Sequence, residues 1–289
     1  MRRQVSRLTV GQPATQVPDT LVAEEPLELR IAGRALAITM RTPGDDMDLL
    51  AGLLVGEGVI RQREDLLEMR YCAGTDEAGH NTYNVLDATV AAHVPPVEAS
   101  LQRALVTTSA CGLCGKASID GVEVTSPYDV TSDDVTIAAA WLGGLPDRLR
   151  AAQRVFERTG GLHAAALFDV ETDELLVLRE DVGRHNAVDK VIGWALREDR
   201  LPLRRTVLLV SGRASFELVQ KAAVAGLPVM AAVSAPSSLA VDLAERVGLT
   251  LIGFLRAPTM VIYTAAARVE NPNAGSSSDD ASHDSALAR

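Results

Sequence analysis

Residues 206–264 read TVLLV-SGRAS-FELVQKAAVAG-LPVMAAV-SAPSS-LAVDLAERVG-LTLIGF-LRAPTMVIYT, with hyphens marking each change of pattern. The stretches 206–210, 227–233 and 249–254 are almost unbroken apolar runs, the composition of parallel strands covered on both faces. Between them, 214–225 and 238–247 carry apolar residues at helical spacing, and 260–264 reads as a further strand. Strand, helix, strand, helix, strand in this order predicts two consecutive right-handed βαβ crossovers. Ligands of such sheets lie beyond the carboxyl ends of the strands. Three segments fall there: Ser211-Gly212-Arg213-Ala214-Ser215, Ser234-Ala235-Pro236-Ser237-Ser238 and Phe254-Leu255-Arg256-Ala257. The predicted crevice therefore holds Arg213, Arg256, several hydroxyls and helix N-termini, a set suited to an anion such as phosphate.

Upstream, 162–168 and 174–178 predict a hairpin turning over Glu171-Thr172-Asp173, and 186–197 a helix. Thr131-Ser132-Asp133-Asp134 reads as the cap of a helical region reaching Val155. Gly143-Gly144 and Pro146 are expected to split it in two, and Gly160-Gly161 to end it. Alternating apolar residues over 27–40 predict an antiparallel hairpin, 47–54 an amphipathic helix, and 67–73 and 81–88 two short strands. The ends, 1–20 and 269–289, are polar and aperiodic and are expected to be disordered. That leaves a smaller α+β part over 21–130 and an α/β domain over 131–268.

With 289 residues and 47% hydrophobic content the chain can bury a large core. A formal charge of −10 and 3% aromatics argue against a nucleic-acid or anionic-membrane surface, so any phosphate site must be local. Three cysteines do not make a disulfide framework and point to a reducing compartment, the cytoplasm. No run approaches the roughly 20 apolar residues of a membrane span.

Two of those cysteines stand in Thr107-Thr108-Ser109-Ala110-Cys111-Gly112-Leu113-Cys114-Gly115-Lys116. The thiolate is the reactive form of cysteine, and CxxC spacing with a nearby cation favours it. The pair reads as redox-active or sulfur-carrying, against half of a metal site or two inert thiols. With Cys72 as the remaining cysteine, a four-cysteine zinc site within one chain is excluded. Cys72 itself reads as a small buried hydrophobe. A second cluster, Glu180-Asp181-Val182-Gly183-Arg184-His185-Asn186-Ala187-Val188-Asp189-Lys190, opens the helix over 186–197. Asp181 suits an N-cap, but Arg184 and Lys190 oppose the helix dipole there, which favours a ligand or catalytic role for the cluster. His163, entering an apolar strand, is as well explained by the core as by chemistry. No GxGxxG, GxxxxGK[ST], GxSxG or HExxH occurs, so dinucleotide, Walker-type, hydrolase-elbow and zincin chemistry lack support.

The cysteine loop, the Gly160-Gly161-Leu162-His163 segment, EDVGRHNAVDK, Ser211-Gly212-Arg213-Ala214-Ser215-Phe216-Glu217 and LTLIGFLR together resemble the FdhD family of formate dehydrogenase accessory sulfurtransferases, over roughly residues 24–265. The resemblance implies a cytidine-deaminase-like α/β domain, a mixed sheet with flanking helices, and a homodimer. It also implies delivery of sulfur from a cysteine desulfurase to the molybdenum cofactor of formate dehydrogenase. That cofactor, a molybdenum bis(molybdopterin guanine dinucleotide), is bound as substrate, and no resident metal is implied. Cys111 falls on the family's persulfide cysteine and Cys114 on the second cysteine of its loop. Phe254, Leu255, Arg256, Ala257, Pro258 and Thr259 fall on its cofactor-binding segment, to which the crevice reading adds Ser211, Arg213, Ser237 and His185. Neither HxE nor PCxxC is present, so the deaminase likeness carries no zinc deamination. Two other functions fit the same residues: a non-catalytic chaperone of the cofactor with a redox-sensing CxxC, and a plain dithiol oxidoreductase.

Overall fold

The computed structural model describes residues 1–72, 74, 83–97 and 124–271. Its largest sheet has six strands in the order β13-β12-β11-β10-β8-β9. These are β8 (His163–Asp169), β9 (Leu175–Asp181), β10 (Thr206–Val210), β11 (Val229–Ala232), β12 (Thr250–Arg256) and β13 (Thr259–Ile262). β10, β11 and β12 are mutually parallel, as the apolar runs predict, while β8, β9 and β13 pair antiparallel.

Strand alternation explains why these strands are apolar throughout. Leu208, Met230, Leu251, Ala165 and Leu167 enter one core, and Val207, Leu209, Val229, Ile252, Ala166 and Phe168 enter another on the opposite face. The first core lies under α1 (Asp46–Gly56), α4 (Arg184–Arg197), α5 (Phe216–Val224) and α6 (Ser238–Val247). The second lies under α2 (Ala139–Ala152), through Leu142, Leu145 and Leu149. Each fully buried leucine contributes about 1.5–3 kcal/mol, so a one-residue slip of any central strand would exchange both cores at once.

The first core continues without a break into a four-stranded sheet of order β4-β3-β6-β5. It comprises β3 (Glu25–Ile31), β4 (Arg34–Arg41), β5 (Leu66–Tyr71) and β6 (Val85–Val90), with Leu27, Leu29, Leu36 and Leu86 facing inward. α1 joins the two sheets by crossing α4 at backbone contact. A Cβ on Gly52 would stand 1.8 Å from the Asp189 carbonyl oxygen, and one on Gly193 1.8 Å from that of Asp48.

Three sequence expectations are corrected. Residues 1–20 form a hairpin, β1 (Arg2–Arg7) with β2 (Thr15–Thr20), in place of a disordered end. Residues 131–134 cap no helix: Val130–Ser132 is a 3-10 turn, and the Asp133 carboxylate accepts from the Val135 and Arg205 backbone N–H groups instead. The chain then pairs β7 (Ile137–Ala138) with β14 (Val269–Glu270) before α2 begins. α2 also runs through Pro146, and the break falls at Gln153, before α3 (Arg154–Thr159). The stripe Leu142, Leu145 and Leu149 spans the proline and packs on the second core, so tertiary burial outweighs the one lost backbone bond. Gly160 ends α3 in the left-handed conformation, φ 67°, as expected.

Candidate functional site

The three predicted crevice segments are brought together at the carboxyl ends of β10, β11 and β12. Ala214 and Pro236 form a parallel bridge. Ser237 N–H donates to the Ala214 carbonyl at 3.0 Å, and Phe254 N–H to that of Ser234 at 3.2 Å. Gly253 permits the close approach, since a Cβ there would meet Pro236 at 2.8 Å and Tyr263 at 2.9 Å. Because β8 runs antiparallel to β10, its first residue, His163, lies at this same end and pairs with Asp181, the last residue of β9.

Ser211 is fixed to β8, its backbone N–H reaching the Ala164 carbonyl and its Oγ accepting from Ala164 N–H, each at 2.9 Å. Gly212 follows without a side chain, and a Cβ there would lie 3.4 Å from His163 Nδ1 and 3.9 Å from Arg184 Cδ. Arg213 is exposed. Two helices open here without a side-chain cap, α4 behind Gly183 and α5 behind Ser215. Their first N–H groups, with Arg184 and Arg213 nearby in sequence, make an electropositive end. Arg184 Nε is buried with no hydrogen-bond partner among the described residues. Burial, with the Arg184 guanidinium and the neighbouring His185 ring, holds the His163 imidazole below its ordinary pKa, against the opposing pull of Asp181.

His185 Nε2 stands 2.9 Å from Glu217 Oε2 and 3.3 Å from Ser215 Oγ. One helical turn on, Asp189 Oδ1 meets Lys221 Nζ at 2.6 Å, both buried, so α4 and α5 meet along an ionic seam. Burial raises the Asp189 carboxyl above its usual range. Lys221 is also pushed up, because Asp189, Glu57 and Glu217 outweigh its own burial. The Lys221 shift reflects the carboxyls around its ammonium, whereas that of Asp189 is chiefly the cost of burying its charge, opposed by Lys221. Val124, outside any helix, is tied to α5, its N–H donating to Gln220 Oε1 at 2.9 Å.

The remaining predicted residues divide. Ser237 caps α6 and is exposed, and its side chain accepts from Ala240 N–H. Phe254 is 38% exposed and holds φ 50°. Arg256, Ala257, Pro258 and Thr259 form the exposed turn between β12 and β13, closed by Thr259 Oγ1 donating to the Arg256 carbonyl. Leu255 is wholly buried in the second core, which leaves only its backbone to a ligand. Cys111 and Cys114 lie outside the described residues.

Lys190, expected from its place near a helix N-terminus to serve a ligand, instead points inward. It pairs with Asp181 at 2.8 Å and donates to the Thr42 carbonyl at 2.9 Å. Asp181 is no N-cap either. Its two oxygens also accept from Thr42 N–H, Gly183 N–H and the Asn186 amide, stapling the start of α4 to the turn after β4. Half of the EDVGRHNAVDK cluster is thus structural. What sequence reading missed is the α5 side of the seam, for which Glu217 and Lys221 at i, i+4 spacing were the available signal. Among the described residues no group of three or more His, Cys, Asp or Glu side chains could hold a metal ion.

A family model described as the FdhD/NarQ family matches residues 22–270. The chain belongs to that family. The FdhD/NarQ match takes in both sheets, the crevice and the cysteine loop. Among similar curated proteins, the "Sulfur carrier protein FdhD" of Mycolicibacterium paratuberculosis is 59% identical over 268 residues, covering 93% of this chain and 98% of that protein. That of Streptomyces coelicolor is 60% identical over 269 residues, covering 93% and 95%. A solved structure described as a formate dehydrogenase accessory protein from Desulfotalea psychrophila superposes with TM-score 0.74 at 23% identity, covering 93% of this chain and 99% of that one. At that identity the superposition speaks for the fold, a mixed α/β architecture.

Proposed function

We propose that the chain is a sulfurtransferase that takes persulfide sulfur from a cysteine desulfurase onto Cys111 and delivers it to the molybdenum cofactor of a formate dehydrogenase. The observation that carries the reading is the near full-length similarity, at 59–60% identity, to proteins named as sulfur carriers. The crevice supports it. Uncapped N-termini of α4 and α5, Arg184 with its unpartnered Nε, and Arg213 suit the phosphates of a guanine dinucleotide. Phe254 and the 256–259 turn border the same end of the sheet. In this reading residues 131–268 are the cytidine-deaminase-like domain, residues 21–130 the smaller part, and the protein works as a cytoplasmic homodimer.

The Cys111 thiolate attacks the outer sulfur of the desulfurase persulfide. One S–S bond forms as another breaks, the desulfurase leaves as a thiolate, and Cys111 holds a persulfide. Attack by Cys114 on the Cys111 sulfur then forms a disulfide and expels the outer sulfur as hydrosulfide. Two cysteines are oxidised by one electron each while the sulfane sulfur gains two. The cofactor is the substrate that receives it, anchored by its phosphates in the crevice.

The test is a chase of radiolabelled sulfur. The chain is loaded from labelled cysteine by a desulfurase, freed of small molecules and mixed with formate dehydrogenase lacking cofactor sulfur. Label passing to the enzyme as formate oxidation appears supports transfer. Equal activation by the Cys111→Ala protein would leave only the cofactor-chaperone reading.

A further inference from the structure

His163 opens β8 at the crevice end of the sheet, ahead of the wholly buried run 164–168, and is itself half-buried. Neither of its ring nitrogens has a hydrogen-bond partner among the described residues. A histidine serving the core would be satisfied there, and His185 gives the contrast, with Nε2 held between Glu217 and Ser215. Asp181, the strand partner of His163, is not available to orient the ring. Its two oxygens are committed to Lys190, Thr42 N–H, Gly183 N–H and the Asn186 amide. Gly212 leaves the Nδ1 edge open, since the Cβ of any other residue would stand 3.4 Å from Nδ1 and 3.6 Å from Cε1. The titratable groups facing the ring are Arg184 and His185 at the start of α4 and Asp181 at the end of β9. Burial and Arg184 prevail over the carboxylate, so the imidazole is neutral at pH 7 and, once protonated, a stronger acid than a free histidine.

We propose that His163 is a catalytic proton shuttle for sulfur release, an inference that rests on the sulfurtransferase reading. Release calls for such a group, because the outer sulfur of an ionised persulfide would otherwise leave as doubly charged sulfide. The Cys114 thiol gives its proton to the neutral imidazole, and the resulting thiolate attacks Cys111 Sγ. The bond from Cys111 Sγ to the outer sulfur breaks, and its electron pair leaves with that sulfur. The imidazolium returns the proton, so hydrosulfide departs and His163 is neutral again. No outside oxidant or reductant enters.

Loading and discharge are measured separately on the full chain. Intact mass reads the sulfur placed on Cys111 by a desulfurase and cysteine. Single-turnover passage of radiolabelled sulfur to formate dehydrogenase lacking cofactor sulfur reads discharge. His163→Gln and His163→Ala should load as the parent does and transfer roughly a hundredfold more slowly. Added imidazole should restore transfer in His163→Ala, where the ring's space is vacant, and not in His163→Gln. The parent rate should fall as pH drops through a midpoint below about 6.5, an inflection that both variants lack. Gly212→Ala keeps the ring but crowds Nδ1, and should slow transfer with loading unchanged. Loaded His163 variants that transfer at the parent rate, or that keep the parent's acid inflection, would overturn the proposal. A parent that takes up no sulfur would instead remove the sulfurtransferase reading, and the shuttle with it.

Discussion

Asp189 of α4 and Lys221 of α5 form a buried ion pair, Oδ1 to Nζ 2.6 Å, one helical turn from the His185–Glu217 pair that borders the crevice. The seam ties the helix that opens beneath the crevice to the helix that holds Val124, the first described residue after the cysteine loop. Lys221→Met should cost about 3–5 kcal/mol in urea unfolding, because it leaves the buried Asp189 without its cation and beside Glu57. Asp189→Leu with Lys221→Met should recover much of that loss, and a double variant no more stable than the single would contradict the pairing.

Gly52→Ala and Gly193→Ala should each prevent α1 and α4 from meeting. Either Cβ would stand 1.8 Å from a backbone oxygen, which no rotamer change relieves. The expected result is loss of soluble folded protein, or a fall of more than ~3 kcal/mol in stability. Gly144→Ala, where the added Cβ meets nothing within 4 Å, should be tolerated in the same assay.

Gln220→Met removes the acceptor from the Val124 N–H and should cost about 1–3 kcal/mol, while Gln220→Glu keeps the oxygen and most of the stability. Equal losses in the two variants, read by chemical denaturation, would assign the effect to packing alone.

His163 should titrate below the ordinary value of about 6.5 in an NMR pH series, and Arg184→Gln should raise its midpoint. Since the folded state binds this proton less tightly than the unfolded chain, acid favours unfolding. The contribution is intact above pH ~6.5 and is lost as pH falls through the folded midpoint. A midpoint at or above the ordinary value would contradict the burial and charge that surround the ring.

If the crevice takes guanine-nucleotide phosphates, Arg184→Gln should weaken GDP binding in calorimetry by about tenfold, the loss of one charged hydrogen bond. Arg256→Ala should also weaken it. Unchanged affinity in either variant removes that side chain from the site.

The sheet was legible in the sequence because TVLLV, LPVMAAV and LTLIGF have no polar face and so must be covered on both. The crevice followed from strand direction alone. Where local signals misled, a longer-range partner had taken the residue. Asp133 looks like a helix cap but serves the Val135 and Arg205 N–H groups. Pro146 looks like a break but sits in a leucine stripe anchored on the second core. Lys190 looks like a ligand but meets Asp181, which lies nine residues back along the chain at the end of strand β9. The Gly52–Gly193 crossing had no local signal, since both glycines sit within ordinary helical patterns and their closeness exists only once the helices cross.

The central claim, that Cys111 carries sulfur, is tested most directly by incubating the purified chain with a cysteine desulfurase and cysteine, then reading intact mass and the Cys111 peptide with and without reductant. The account predicts an added mass of about one sulfur atom on Cys111, removed by reductant and absent in Cys111→Ala. A folded chain with reduced Cys111 that gains no sulfur would contradict it.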